Sequence, residues 1–456
     1  VVAAVALVVT GGILVFNRTT ADAPPAPAGQ PAGQAPEGNG GVPPPAAVGN
    51  LTTINWSATF GDAGDNWFAG VALAPDGARI AVGYTSDAPA ADGDMYGVHR
   101  NAAIAAYAAD GSLWWSKTLG GRGHDEFTDV AVRSDGTIVA VGYTDSTDGD
   151  FTQNGNVLTS SGVVAAFSPE GTVLWSRTLG PGENYVTAVA FTDDGSIVVA
   201  GGFNAFLVKL SPTGTPVWDR TYSGSGQSAF NGLALAPNGD IVVAGSTQSA
   251  DGDFPAKNVS ADPNIRDALV ARLDADGNPL WRQVQGGSGG DEFSAVAIGP
   301  DGTVVAAGFG FGRDGDFTPG TGPGDYFCAA LSSFAPDGTP LWAHGFGGPG
   351  MSGFWSVVIW PDGRIIAGGN TNISSGDFAI RHDSSDEALL ARVSADGRLQ
   401  DYGTWGGSVA VSDLKDLVFV PSGEIVAVGY TSATDGDFPA AQSAYAALVV
   451  DFASLP

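Results

Sequence analysis

The chain has a single cysteine, Cys328, so no disulfide can form within it. Basic residues are also few, since 19 lysines and arginines stand against 48 aspartates and glutamates and the formal net charge is −29. Nucleic-acid binding needs clustered Lys and Arg to neutralise phosphates, so this composition excludes that function class. A domain without disulfides depends on its apolar core, and about 400 residues are enough to bury one.

Catalytic groups are sparse as well. The four histidines lie in different parts of the chain, without the spacing of metal ligands: His99, His124, His344 and His382. No G-x-S-x-G motif places a nucleophilic serine on a strand-to-helix turn. A propeller enzyme, either a hydrolase or a lyase, is therefore the least favoured of the function classes below.

What the chain does contain is one pattern repeated seven times. The segment DEFTDVAVRSDGTIVAVGYTDSTDGDF begins at Asp125, and similar segments begin at Asp291 and Gly353. Every copy holds a turn dipeptide at the same place: Asp76-Gly77, Asp135-Gly136, Asp194-Gly195, Asn238-Gly239, Asp301-Gly302, Asp362-Gly363 and Ser422-Gly423. Such self-similarity indicates structural units that bury their apolar faces against one another.

Each unit is predicted to hold four antiparallel strands, named A to D. Asp-Gly and Asn-Gly supply the positive φ angles of tight hairpins, and apolar and β-branched residues alternate around them. In the second unit we expect strand A near Val130 and strands B, C and D over 138–143, 163–168 and 173–178. Repeated four-stranded units are typical of propeller blades. The predicted fold class is therefore all-β, a seven-bladed β-propeller.

The two ends of this array fit together. The last unit ends after its C strand, whereas an unmatched strand, LTTINWSATFG, stands at 51–61. We expect this N-terminal strand to close the last blade, which removes the open sheet edges that would pair with other chains. Tryptophan marks the D strands, from Trp56 to Trp342, and we interpret these aromatic positions as inter-blade packing.

The string WSKTLGGRGHDEF, followed by VAVRSDGTIVAVGYT and STDGDF, resembles the seven-bladed β-propeller repeats of bacterial secreted and surface proteins. The resemblance runs from Leu51 to the C-terminus. It implies an interaction module and supports the fold more strongly than any particular ligand. The sequence departs from the pattern where Phe151-Thr152 and Phe317-Thr318 replace Phe-Pro, and where the third unit lacks the acidic loop.

The N-terminal 50 residues have a different composition. Residues 1–16 form an apolar run that predicts a helix, either a transmembrane anchor or the core of a signal peptide. Residues 17–50 are rich in Pro, Ala and Gly and predict a disordered linker. The predicted domains are thus 1–16, 17–50 and the propeller at 51–456, with the propeller outside the cytoplasmic membrane in both cases.

The long loops all fall between strands B and C, which places them on one face of the ring, here called the loop face. Function concentrates on variable loops held by a rigid scaffold. Their most regular feature is Asp-Gly-Asp, which either caps turns or supplies calcium ligands: Asp92, Asp94, Asp148, Asp150, Asp251, Asp253, Asp314, Asp316, Asp435 and Asp437. Carboxylates of the D–A connections are candidates for the ligand-binding face: Asp125, Glu126, Asp291 and Glu292.

These features favour a binding function. The first hypothesis is an extracytoplasmic propeller on a membrane-tethered stalk that binds a protein, peptide or cell-wall ligand, such as the sensor part of a receptor serine/threonine kinase. The alternative is a free-standing secreted or surface propeller with a structural or adhesive role. Apart from calcium no cofactor is predicted, and the propeller is expected to be monomeric. The missing loop of the third unit predicts an acidic notch above Gly202, suited to a basic partner.

Overall fold

The structure is a computed structural model that describes residues 53–453, with gaps at 62–63, 87–98, 152–159, 181–184, 203, 256–264, 312–313, 320–325, 383–384, 409, 440 and 442–444. The predicted apolar helix of 1–16 and the linker of 17–50 lie outside the described residues and stay predictions. Within the described part, no helix has both the length and the apolar character needed to cross a bilayer.

The described residues form seven four-stranded antiparallel sheets, which confirms the seven blades. The strand that precedes blade 1 is β1 (Ile54–Phe60). Blades 1 to 3 consist of β2 (Asn66–Leu73), β3 (Arg79–Ser86), β4 (Arg100–Tyr107), β5 (Leu113–Leu119); β6 (Asp125–Val132), β7 (Ile138–Thr144), β8 (Ser161–Phe167), β9 (Val173–Thr178); and β10 (Val186–Phe191), β11 (Ile197–Gly201), β12 (Phe206–Leu210), β13 (Pro216–Thr221).

Blades 4 to 7 continue the same order from A to D. Their strands are β14 (Ser228–Leu235), β15 (Ile241–Thr247), β16 (Asp267–Leu273), β17 (Pro279–Gln285); β18 (Glu292–Ile298), β19 (Val304–Phe311), β20 (Phe327–Phe334), β21 (Pro340–Phe346); β22 (Ser352–Ile359), β23 (Ile365–Thr371), β24 (Glu387–Val393), β25 (Leu399–Trp405); and β26 (Ser412–Phe419), β27 (Ile425–Thr431), β28 (Ala446–Phe452). Two single 3-10 turns, Gly149–Phe151 and Gly315–Phe317, lie in the loops.

The ring closes as the sequence predicts. β1 pairs antiparallel with β28, with Ile54 opposite Phe452 and Phe60 opposite Ala447, so it is the D strand of blade 7. This pairing covers the outer edge of β28, whose seven residues are all buried.

The core lies between the blades, because each sheet packs its apolar side chains on the next sheet. One cluster joins Ile104 of blade 1 to Phe127 and Phe167 of blade 2. One residue near the start of each A strand is fully buried at these borders: Phe68, Phe127, Val186, Phe230, Phe293, Phe354 and Leu414. This burial confirms that the A-strand aromatics serve inter-blade packing.

The D-strand tryptophans join neighbouring blades at the outer edge of the ring. Trp56, Trp115, Trp281 and Trp342 each donate their indole N–H to a backbone carbonyl in the C–D turn of the next blade, at 2.9–3.0 Å. The turn glycine lies against the ring, since a Cβ at Gly111 would stand 2.7 Å from the Trp56 ring carbons. These contacts confirm the packing interpretation for the tryptophans.

Candidate functional site

A one-residue β-bulge occurs at the same point in all seven A strands. The ladder skips one residue just after the buried residue at the blade border. A bulge re-aims the extra side chain, and all seven extra residues line the cavity described next. They are Ala69, Thr128, Thr187, Asn231, Ser294, Trp355 and Lys415.

The A strands surround a central channel that contains a cavity of about 670 Å³. Besides the seven bulge residues, its lining includes Phe309, Phe327 and three residues within the first two positions of their A strands: Trp67, Glu126 and Glu292. A strands begin on the loop face, so the cavity occupies the loop-face end of the channel. Clefts of this size, with apolar walls and a few convergent polar groups, are the usual form of ligand sites.

The bulge side chains of blades 2 to 4 fasten one blade to the next. The hydroxyl of Thr128 donates to the carbonyl of Val186 at 2.6 Å, and that of Thr187 donates to the carbonyl of Phe230 at 2.8 Å. The Asn231 amide donates to the carbonyl of Phe293 at 2.9 Å. On this side of the channel the bulge side chains therefore link neighbouring blades.

The bulge residues of blades 6 and 7 are much larger. Lys415 is buried, and its Nζ lies 2.7 Å from a carboxylate oxygen of Asp413. The same ammonium lies over three rings, 4.5 Å from the centroid of Trp355, 5.6 Å from Tyr430 and 5.8 Å from Trp67. Cations are attracted to aromatic faces within about 6 Å, so this wall of the cavity is built to hold a positive charge.

Glu126 and Glu292, two of the predicted ligand-face residues, both line the cavity and both are held in place. Glu126 accepts hydrogen bonds from Trp67 Nε1 at 3.3 Å and from the Tyr143 hydroxyl at 3.1 Å. Glu292 pairs with Arg266 at 3.2 Å and accepts a hydrogen bond from the Asn231 amide at 2.8 Å. Two of the four predicted residues therefore line the cavity, and their role in ligand binding stays a prediction.

Asp125 and Asp291, their sequence neighbours, lie at the blade borders and not in the cavity lining. Both are fully buried. Asp125 accepts hydrogen bonds from the Gly121 N–H at 2.9 Å and from Ser146 Oγ at 2.8 Å. Asp291 accepts the N–H groups of Gly287 at 2.8 Å and of Phe311 at 3.0 Å, and burial raises its pKa to about 7. These carboxyls hold the loops at the blade borders, and the cavity is lined by the residues beside them.

Two further carboxylates, Asp129 and Asp416, line the cavity on either side of blade 1. Asp129 accepts the N–H of Val189 in blade 3 at 2.8 Å, and Asp416 accepts the N–H of Val71 in blade 1 at 2.8 Å and a hydrogen bond from Ser356 Oγ at 2.8 Å. Burial raises the pKa of both groups, and repulsion by Asp416 raises that of Asp129 further. Sequence reasoning missed them because five of the seven blades carry no carboxyl at this position.

The Asp-Gly-Asp loops form clasps between neighbouring blades. In the loop of blade 2, the N–H of Asp150 donates to the carbonyl of Gly120 at 3.0 Å, and the Asp150 carboxylate accepts the Gly120 N–H at 3.0 Å. The Asp148 carboxylate accepts the Arg122 N–H at 2.8 Å. The same amide contacts recur for Asp251, Asp253, Asp314, Asp316, Asp435 and Asp437. Asp92 and Asp94 lie outside the described residues.

The glycine between the two aspartates is a requirement of the clasp. Gly149 has φ +73°, and a Cβ there would stand 2.0 Å from the Gly120 carbonyl oxygen. Each clasp carboxylate thus has a partner in the protein backbone. Among the residues that the structure describes, no three His, Cys, Asp or Glu side chains come together as a metal site requires, and calcium stays a prediction.

The short B–C connection of blade 3 is tied to the next blade. The Ala205 N–H donates to the carbonyl of Ser228 at 2.7 Å, and the Tyr222 N–H donates to the carbonyl of Ala205 at 2.8 Å. The aspartates of the two neighbouring loops, Asp148, Asp150, Asp251 and Asp253, accept the backbone amides of the clasps. The notch stays a prediction, while the cavity is the concave site that the geometry provides.

Comparison with known proteins supports the repeat architecture. A family model described as outer membrane protein assembly factor BamB matches residues 160–322. The chain is 27% identical over 190 residues to the regulatory protein FlaEY of Caulobacter vibrioides, which covers 40% of this chain and 19% of that protein. It is 27% identical over 122 residues to an uncharacterized WD repeat-containing protein of Acanthamoeba polyphaga mimivirus, which covers 25% of this chain and 8% of that protein.

Among solved structures, a protein of unknown function from Bacteroides caccae aligns with 12% identity and a TM-score of 0.35, covering 58% of this chain and 78% of that one. The chain spans less than a fifth of the length of the two curated relatives. The seven sheets and the match over 160–322 agree with the resemblance found in the sequence. The chain is a seven-bladed β-propeller whose repeats are similar to those of the BamB-like family.

Proposed function

We propose that this protein is a binding propeller that receives a segment of a protein or peptide in the loop-face end of its central channel. The observation that carries this proposal is the bulge ring. Seven equivalent backbone positions point into one cavity, yet their side chains range from Ala69 through Asn231 to Trp355 and Lys415. Positions that serve only the frame repeat from blade to blade, whereas these positions differ, as the lining of a selective site does.

The comparisons favour the same function class. The matched family model is described as an assembly factor, and one relative is named a regulatory protein. Those words describe the other proteins, and they support a role in binding for this chain. They give no support for a particular reaction.

The proposed location is outside the cytoplasmic membrane. In this proposal the apolar run 1–16 anchors the protein, the linker 17–50 lifts the propeller off the surface, and binding is sensed as in the outer part of a receptor kinase. The alternative is the same propeller released as a secreted or surface protein. Protease treatment of intact cells separates both from an internal location, because an external propeller is cleaved or shielded without cell lysis.

The binding proposal is tested with two matched tryptophan variants. Trp355 lines the cavity, whereas Trp114 is exposed on the outermost strand β5. The full chain is titrated with an array of 15-residue peptides and with muramyl-peptide wall fragments, and the tightest probe is used further. We expect Trp355→Ala to weaken binding at least about tenfold, as for a buried aromatic contact, and Trp114→Ala to leave it unchanged.

Equal effects of the two variants contradict the proposed site. Thermal melting of both variants serves as the control for folding. Failure of every probe to bind contradicts the proposed function itself.

A further inference from the structure

The cavity lining has more acidic than basic side chains, and this excess of negative charge favours a cationic ligand. We propose that the occupant is a basic side chain of a peptide, whose ammonium or guanidinium group is held beside Asp129 and Asp416. The inference rests on the proposed function and adds the chemistry of the ligand.

The charges around the cavity can be assigned one by one. Four carboxylates line it, Glu126, Asp129, Glu292 and Asp416, against two cations, Arg266 and Lys415. Arg266 is committed to Glu292, and Lys415 to Asp413. Glu126 lies 3.9 Å from Arg100 behind the wall. Among the described residues no cation forms an ion pair with Asp129 or Asp416, so only these two lining carboxylates are left for a ligand.

Partial burial in the cavity makes this arrangement costly without a ligand. A carboxylate taken out of water loses its hydration, and two such groups that interact repel each other. Each group accepts two backbone N–H groups, Asp129 from Val130 and Val189 and Asp416 from Val71 and Leu417. The pKa of both carboxyls is still raised. A cation placed beside the pair would supply the missing attraction and lower both pKa values, so that binding near neutral pH releases a proton.

The other charged groups that face the pair act on this balance. Glu126 and Glu292 add negative charge, and Arg266 and Lys415 add positive charge, but each of these four has its own partner. The proton release is therefore assigned to Asp129 and Asp416. Because the free protein holds the extra proton, affinity should rise with pH through the neutral range.

Aromatic side chains in the cavity lining suit the apolar stem of the same occupant. Trp67 and Trp355 line the cavity, and their ring faces already hold the ammonium of Lys415. Their exposed edges can pack against the apolar stem of a long basic side chain, whose charged end lies beside the two carboxylates. A peptide side chain fits this combination better than a metal ion, because no group of three metal-ligating side chains occurs among the described residues.

The charge of the whole chain acts in the same direction. A formal net charge of −29 attracts cationic partners over a distance and raises their rate of encounter. This long-range attraction weakens as salt is added, whereas contacts inside the cavity are screened much less. Salt dependence therefore separates steering from binding in the cavity.

The test uses three peptides that differ at one position: Ac-Gly-Gly-Lys-Gly-Gly-NH2 and its norleucine and glutamate analogues. Titration calorimetry of the full chain at pH 7 and moderate salt is expected to give at least about tenfold tighter binding of the lysine peptide than of the norleucine peptide. Two buffers with different ionisation heats report the number of protons released. We expect a net release with the lysine peptide and none with norleucine.

Two variants locate the effect. Asp416→Asn keeps an oxygen for the Val71 N–H but loses the charge, and it should reduce the preference for lysine over norleucine at least about fivefold. Asp135→Asn, which changes an exposed turn on the opposite face, should keep the wild-type preference. Proton release by the wild-type protein needs no variant and stands even where Asp416→Asn fails to fold.

The outcomes distinguish this inference from the proposed function. Equal affinity for the lysine and norleucine peptides, or tighter binding of the glutamate peptide, overturns the cationic occupant while a binding propeller stands. A lysine preference without proton release, or one that Asp416→Asn leaves intact, moves the cation away from the pair and overturns the inference. Binding of none of the three peptides overturns it as well, and the peptide array then decides the proposed function separately.

Discussion

Two sets of aspartates in this molecule differ in what surrounds them. In the clasps, Asp150, Asp316 and Asp437 each accept an amide at a blade border, and the pattern recurs around the ring. In the channel, Asp129 and Asp416 are half-buried, have no ion pair among the described residues, and have raised pKa values. The comparison teaches that carboxylates at repeated positions hold neighbouring blades together, while the two that break the repeat lie in the cavity, where we propose that the ligand binds.

If the residues that hold the blades together are separate from those that bind the ligand, changes at the blade borders should lower stability. Changes in the channel lining should weaken binding. The largest expected effect is the removal of the closing strand. Deleting 51–60 exposes the edge of β28 and removes the Trp56 contact with Ala109, so we expect a loss of about 3 kcal/mol or more in the free energy of unfolding. Denaturant unfolding measures it. Deleting 19–48 is the matched control and should leave stability unchanged.

The next effect concerns a single clasp. Gly149→Ala places a Cβ against the Gly120 carbonyl at a positive φ, and we expect a loss of about 2 kcal/mol. Gly363→Ala is the control, because its φ is similarly positive, at +86°, but its Cβ would meet only Ala395 at 3.9 Å. The difference in melting temperature between the two variants isolates the clasp. Equal losses would mean that backbone strain, and not the clasp, matters at Gly149.

The pH dependence of stability tests the buried carboxyls. Burial raises the pKa of Asp291 to about 7, and burial together with repulsion by Asp413 raises that of Asp386 to about 6, against about 4 in an unfolded chain. Between pH 4 and pH 7 the unfolded state therefore loses protons that the folded state keeps, and stability falls as pH rises. We expect a higher melting temperature at pH 5 than at pH 8.

One group opposes this trend, because burial lowers the pKa of His344 and favours folding at the higher pH. It is a single residue at the surface against several buried carboxyls. The control is Asp291→Asn, which should flatten the profile, because it removes one of the titrating groups. A melting temperature that rises from pH 5 to pH 8 would contradict the account of the buried carboxyls.

The smallest expected effect is that of calcium. Since backbone amides already occupy the clasp carboxylates, millimolar calcium should raise the melting temperature little or not at all, and EDTA should lower it equally little. A clear shift that disappears in Asp148→Asn would show that the loops bind calcium, and the clasps would then belong to the function as well as the frame.

The frame was predictable because its determinants are local. Asp-Gly turns and period-two alternation set the strands, and the D strand predicted at 173–178 has the bounds Val173–Thr178 in the structure. The unmatched strand at the N-terminus predicted the closure through β1 and β28.

The site was not predictable in the same way. A bulge at Thr128 or Lys415 leaves no turn dipeptide or change of composition in the sequence, and it moves a side chain to the channel by skipping one position in the ladder. The pairing of Asp129 with Asp416 joins residues of blades 2 and 7, which meet only when the ring closes. The predicted Glu126 and Glu292 came near the site because the D–A connections lead into the A strands.

The most direct test of the central claim is fluorine NMR of the full chain labelled with 5-fluorotryptophan, during titration with Ac-Gly-Gly-Lys-Gly-Gly-NH2. Trp67 and Trp355 line the cavity, whereas Trp115, Trp281 and Trp342 join blades at the outer edge. Replacing each tryptophan by Phe assigns the resonances. The account predicts that only the Trp67 and Trp355 signals shift. Shifts of the outer tryptophan signals, with the Trp67 and Trp355 signals unchanged, would contradict it.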